Sequence, residues 1–260
     1  MSDYFIFDGV DSRTFGAYVY DVETDSSPVN DYSAVTIPGR SGDFLLNNRR
    51  FPNVEHTYYV LFPTNFETNY SNLRAYLLSR NGYSRLEDSI HPTEFYQAYV
   101  NIPIRPEITR NREMGKAKVT FSRKPQRWLK SGENAVPIIT SSGRKSDIAN
   151  PTRFASYPLL NFKLDSTPTC KITLNSTQIE ITSNTAMSNK YVFIDLETLQ
   201  CYGRSSATSG AFTYYNQYVK YTVPNDHNKA FKLSAGVNSI VYPDAGNIST
   251  LSITPRWYTV

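Results

Sequence analysis

Cysteine, histidine, methionine and tryptophan are scarce in this chain, at 2, 3, 3 and 2 of 260 residues. Two cysteines exclude the disulfide framework that holds small secreted domains together. Cys170 and Cys201 have no CxxC spacing; in a cytoplasmic product they read as buried thiols, and both could sit in one sandwich. His56, His91 and His227 lie far apart without HxH or HxxxH spacing, so the chain offers little from which to build a metal site. Charged residues reach only 19% while aromatics reach 14%, which excludes a disordered chain, since disorder requires high charge and few aromatics. No apolar run approaches the roughly 18–20 residues that cross a bilayer, so no membrane insertion is expected. The opening Met-Ser-Asp-Tyr-Phe has no basic segment leading into an apolar one, so no secretory signal is expected, and synthesis is expected in the cytoplasm.

The net charge of +4 conceals a pattern. Residues 1–55 hold 9 acidic and 4 basic side chains, whereas 105–130 hold 9 basic and 2 acidic. Three readings fit: two solvated faces, complementary contact within or between subunits, or nucleic-acid binding. The last lacks a helix-turn-helix, zinc or RNP-type signature.

What is present reads mainly as strand. Tyr4–Phe7 runs into Asp8-Gly9, and Thr57–Phe62 is aromatic and β-branched up to Pro63. Phe95–Val100 is a further strand, and Lys116–Phe121 alternates basic and apolar residues in the half-buried pattern. One helix stands apart over Asn69–Arg80, with Tyr70, Leu73, Tyr76 and Leu77 on one face. Asn69 or Ser71 is the expected cap, and Asn81-Gly82 the expected stop. Residues 21–50 are a long, turn-rich excursion with few periodic apolar positions, and loops of that length usually carry function. The low-aromatic, turn-rich bridge Ser131–Pro151 marks a domain boundary. Beyond it, nine short strands with polar turns predict an antiparallel sandwich: Leu159–Leu164, Thr169–Leu174, Gln178–Thr182, Tyr191–Asp195, Gln200–Tyr202, Val219–Val223, Lys229–Leu233, Asn238–Val241 and Leu251–Trp257.

Catalytic patterns are missing. There is no G-x-S-x-G elbow, G-x-G-x-x-G or P-loop. Asp195 and Glu197 could share a strand face as a carboxylate pair, but Asp195–Thr198 also reads as a turn. No catalytic, cofactor-binding or metal-binding residue is assigned, and the chain is expected not to be an enzyme.

Several segments resemble the siphophage distal tail proteins, often called Dit. Tyr4–Ser12 followed by Phe15-Gly16 is similar to the opening of that family, and Pro38-Gly39-Arg40-Ser41-Gly42 to its PGRxG loop, with Ser41 where an acidic residue is common. Phe121–Trp128, Asn150-Pro151 through Leu160, Tyr191–Asp195, Gly236–Ile240 and the terminal Leu251–Trp257 continue the likeness in order. The resemblance implies a mainly β chain of two domains. Residues 1–135 would form a tail-tube-like sandwich or split barrel with one helix, closing a ring of six and sending an arm, about 21–50, around its neighbour. Residues 136–151 would be a linker, and 152–260 a galectin-like sandwich. It further implies the short form, without an inserted carbohydrate-binding domain. The role implied is a hub at the virion tail tip, made in the host bacterial cytoplasm. It would join the major tail tube protein to a tail-associated lysin or tip protein, with a receptor-binding protein as a further partner and DNA as passing cargo.

On this reading Arg40, Arg49, Arg50, Arg123, Lys124 and Arg127 are candidate ring-interface residues, because Arg suits bidentate carboxylate pairing. The acidic first 55 residues would face the basic 105–130 segment of the next subunit. Trp128 and Trp257 are packing-anchor candidates. The alternative function is a carbohydrate-binding module or adhesin for host cell-wall polysaccharide, with Trp257 as a sugar platform.

Overall fold

The computed structural model describes the chain outside residues 1–2, 24–26, 109–112, 139–143, 165–169, 176, 183–186, 207, 223–231 and 243–247. The chain is mainly β with one α-helix, and it divides into two compact units after Arg127.

The first unit contains β1 (Phe5–Phe7), β2 (Val10–Asp11), β3 (Tyr18–Val22), β4 (Tyr32–Val35), β5 (Phe44–Asn47), β6 (Val54–Phe62), α1 (Phe66–Leu78), β7 (Ser84–Asp88), β8 (Glu94–Tyr99), β9 (Arg105–Ile108) and β10 (Gly115–Arg123); β11 (Arg127–Leu129) begins at the boundary. One antiparallel sheet runs β2-β1-β7-β8-β10-β6-β3. β8 pairs with one end of β10, and β9 with the other. The sheet curls, because rings from strands far apart along it meet in the core. Phe5 of β1 stacks on Tyr58 of β6 at 5.1 Å, and Phe7 meets Phe121 of β10 at 5.1 Å. Helix α1 closes the core with Phe66, Leu73 and Leu77, each 1% exposed.

The helix begins at Phe66, three residues before the expected span Asn69–Arg80, with Asn65 in the cap position. Asn65 sits in the left-handed region at φ 48° and makes no side-chain cap. Asn69 lies inside the first turn, and its amide donates to the Thr64 carbonyl at 3.0 Å. The physical reason is Phe66, whose ring packs on Phe62 and Tyr70 and fills the space left by Gly115. A methyl group on Gly115 would stand 2.3 Å from that ring.

The second unit holds β12 (Val136–Ile138), β13 (Arg144–Asn150), β14 (Leu159–Leu164), β15 (Cys170–Leu174), β16 (Thr177–Ile181), β17 (Tyr191–Asp195), β18 (Gln200–Arg204), β19 (Thr213–Tyr214), β20 (Val219–Thr222), β21 (Gly236–Tyr242), β22 (Ile248–Thr254) and β23 (Tyr258–Thr259). A six-stranded sheet runs β12-β22-β14-β17-β18-β19, and a five-stranded sheet runs β13-β21-β15-β16-β20. Alternate residues of both sheets, such as Phe162, Ile194 and Leu251 from one and Ile172, Ile179 and Ile240 from the other, form one buried cluster. That is the construction of an antiparallel sandwich.

Residues 136–151, expected as a linker, contain two strands of this sandwich. β12 pairs with β22 and β13 with β21. The boundary between units lies at 127/128 rather than within Ser131–Pro151. Polar residues on β13, such as Ser146 and Asp147, give that stretch the composition of a loop, while Ile148 is buried behind them. Of the expected strand Lys229–Leu233, residues 229–231 lie outside the described residues, and Leu233 forms a bridge with Ser156. Cys170 and Cys201 are buried and share no disulfide, one on each sheet.

The chain end is fastened to the start of this unit. Leu129 N–H donates to the Trp257 carbonyl at 2.9 Å, and Arg256 N–H to the Gly132 carbonyl at 2.8 Å. Arg256 is left-handed at φ 58°, an uncommon conformation for any residue that carries a Cβ. Its guanidinium grips Asp195 through two bonds of 2.9 and 3.0 Å, which holds the turn in place.

Candidate assembly interface

The excursion over 21–50 carries an unexpected element. Tyr32-Ser33-Ala34-Val35 and Phe44-Leu45-Leu46-Asn47 pair as an antiparallel hairpin, which is a sheet of its own. Its loop is written in the sequence. Arg40 N–H donates to the Ile37 carbonyl at 3.2 Å, with Pro38 and Gly39 between them and Gly39 at φ 81°. Proline then glycine at these positions is the chemistry of a type II turn. Thr36 Oγ1 donates to the Asp43 carboxylate at 2.9 Å and closes the loop. At the base, Asn48 and Arg50 both donate to the Asp31 carboxylate.

A two-stranded hairpin has no core, and an isolated one is only marginally stable in water. Every residue of β4 and β5 is exposed. Phe44, Leu45 and Leu46 remain 44%, 59% and 48% exposed, and Tyr32, Val35 and Ile37 are comparable. Contiguous apolar residues left in water mark an interaction surface.

The six candidate interface cations fall into two groups. Arg40, Arg49 and Arg50 lie on or beside the hairpin and are exposed. Arg50 pairs with Asp31 at 2.5 Å, and Arg49 occupies the left-handed region at φ 55°. Arg123 is the last residue of β10, and Lys124 and Arg127 follow it. Arg123 is only 1% exposed, with its guanidinium over the Tyr96 ring at 4.8 Å, so it does not stand on the surface of the unit. It is a core side chain because the alternation of β10 turns it inward after Phe121. Lys124 lies over Tyr83, and Arg127 pairs with Glu94 at 2.8 Å. Trp128 is half-buried, and Trp257 is 6% exposed within the core cluster, so its ring has no open face for a sugar.

The charge asymmetry is partly satisfied inside the unit. Among the acidic residues of 1–55, Asp8 pairs with Arg80, Asp11 with Arg13, Glu23 with Lys118 and Asp31 with Arg50. Asp88, His56 and His91 form a cluster that the sequence pattern did not bring together, while His227 lies outside the described residues. The Tyr58 hydroxyl donates to Asp88 at 2.8 Å, the N–H groups of Ile90 and His91 donate at 3.0 and 2.6 Å, and His56 stands 3.9 Å away. With so many donors this carboxylate serves as a lock between strands. Asp195 is likewise engaged by Arg256 and by the Glu197 N–H at 2.9 Å, which is the geometry of a turn. Among the described residues, no group of three or more His, Cys, Asp or Glu could hold a metal ion, and no helix is long and apolar enough to cross a membrane.

No protein-family model matches the sequence, and no curated protein matches it significantly. Solved structures do match the fold. The SPP1 Dit (gp 19.1) protein, described as a paradigm of the hub adsorption apparatus in phages infecting Gram-positive bacteria, aligns with a TM-score of 0.61 at 12% identity, over 93% of this chain and 98% of that one. The chain has the Dit fold. Chains of the phage p2 baseplate in its activated conformation, with strontium and with calcium, align at a TM-score of 0.53 and 11% and 10% identity, each over 97% of both chains. The Dit fold thus extends through both units, although few residues are shared.

Proposed function

We propose that this protein is the structural hub of a long, non-contractile phage tail tip, in which copies of the chain close a hexameric ring. The observation that carries the reading is the exposed hairpin β4–β5. It is apolar, pairs only with itself among the described residues and would be shielded by packing on a neighbouring subunit. A contact between two different patches closes a ring when its rotation allows. The first unit would form the ring and the hairpin would serve as the arm.

In this role one ring face meets the major tail tube protein, and the other meets the tail-associated lysin or tip protein. A receptor-binding protein joins the assembly, and DNA crosses the centre as cargo. The protein would work in the virion tail tip after synthesis in the host cytoplasm, and it would catalyse nothing. The internal pairing of Asp8, Asp11, Glu23 and Asp31 narrows the electrostatic part of the contact. Arg40 and Arg49 at the hairpin rim, rather than Arg123, would set its register.

Mass photometry and negative-stain imaging of the purified chain test the proposal. The expected particle is a ring of six times the 29.6 kDa chain mass. A particle of single-chain mass at every accessible concentration, with and without the tube protein, would overturn ring closure.

A further inference from the structure

The outward face of the six-stranded sheet carries aromatic rings that the core does not use. Val192 and Ile194 of β17 point into the core cluster, so Phe193 between them points out. In register across the sheet, Phe193 faces Tyr202 of β18, and Tyr202 faces Tyr214 of β19. Phe193 and Tyr202 stack at 5.5 Å with their planes 14° apart. Phe212, just before β19, stands edge-on to Tyr202 at 4.9 Å. The Arg204 guanidinium lies 5.1 Å from the Phe193 ring centre and 5.0 Å from that of Phe212. The outermost rings stay in water, Phe212 at 51% and Tyr214 at 61% exposure.

Charges of both signs border the rings. Asp195 lies two residues beyond Phe193 on the same face of β17 and is held by Arg256. Burial pushes the pKa of the Tyr202 hydroxyl up; Asp195 adds to this while Arg256 and Arg204 oppose it, so all three charges lie within electrostatic reach of the cluster.

We propose that this surface binds a neutral carbohydrate, with the C–H face of a sugar ring laid on Phe212 and Tyr214 and its hydroxyls met by the bordering Asp195, Arg204 and Arg256. The rings are held by one another, so little ordering is required on binding. A protein partner fits the patch less well. A stable protein interface takes about 800 Å² and 20–30 residues from each side. Here, two open rings offer a surface the size of one or two sugars. Nucleic acid fits less well too, because Arg256 is engaged by Asp195 and, at 3.7 Å, by Glu197, so these two carboxylates balance Arg204 and Arg256 beside the rings.

Saturation-transfer-difference NMR on the full chain with chitobiose, maltose and lactose tests this. Saturation is expected to reach the ring protons of at least one disaccharide. The transfer should disappear in Phe212→Ala/Tyr214→Ala and persist in Tyr32→Ala, which removes an exposed ring of the first unit. If the double alanine variant unfolds, Phe212→Leu/Tyr214→Leu keeps the apolar bulk without the flat faces and should also abolish transfer. No transfer to any of the three sugars, or undiminished transfer in the variant that folds, would overturn the proposal. It does not depend on ring formation, so the two readings stand or fall separately.

Discussion

Replacing Phe44, Leu45 and Leu46 together by serine separates assembly from folding. Wild-type exposures of 44%, 59% and 48% mean that about half of each side chain still awaits burial. Full burial of such a side chain contributes about 1.5–3 kcal/mol, so the remaining half contributes about 0.7–1.5 kcal/mol. Three residues then supply about 2–4.5 kcal/mol at each subunit contact. At 1.4 kcal/mol per factor of ten, that weakens one contact by roughly 30- to 1,500-fold. The folded subunit should hardly change, because among the described residues the hairpin pairs with no other strand. Dilution series by mass photometry would follow the ring, and thermal melts with far-UV circular dichroism would follow the fold. Val237→Ser removes an apolar side chain that is 73% exposed elsewhere and serves as the control. Since the contact is chiefly apolar, the wild-type ring should also survive high salt. A triple variant that dissociates at the same concentration as wild type would refute the assignment of the hairpin as the contact.

Three other outcomes are expected. Tyr58→Phe removes the 2.8 Å bond to buried Asp88 and should destabilise the first unit by about 1.5–3 kcal/mol in urea unfolding. Asp195→Asn should destabilise the second unit at neutral pH. Burial opposes ionisation of Asp195, but Arg256 and the N–H groups of Glu197 and Thr198 outweigh it and hold the carboxyl below its ordinary 3.8. The contribution is therefore present above that value and fades as pH falls further, so the gap between wild type and variant should close in acid-range melts. Burial pushes the Cys201 thiol up to about 12, so Cys201 should resist thiol reagents at pH 8 in the native protein and react after denaturation.

The strands were largely legible because their patterning survives in short windows. Tyr191–Asp195 and Leu159–Leu164 coincide with β17 and β14, where apolar residues alternate or run together. The hairpin escaped notice for the opposite reason. Neither side of β4 or β5 faces a core, so Phe44-Leu45-Leu46 shows no period, although Pro38-Gly39 announced the turn. The helix start was hidden because a ring packing on a distant glycine, not a capping side chain, decided it. Arg123 looked like surface charge since sequence treats arginine as exposed, yet its place on β10 is inward. The Phe193–Tyr202–Tyr214 row could not be read, because it joins three strands across the sheet.

The place of β22 in its sheet bears on the order of events at the ribosome. This strand, residues 248–254, is inserted between β12 and β14 and is made after every other strand of that sheet. Until β22 emerges, β12 is without its β22 partner and β14 lacks one of its two neighbours, and the Trp257 turn closes after that. The first unit has its last main strand, β10, by residue 123 and can fold while the rest is still being made. Ribosome stalling near residue 245 should thus leave a folded first half attached to a protease-sensitive second half.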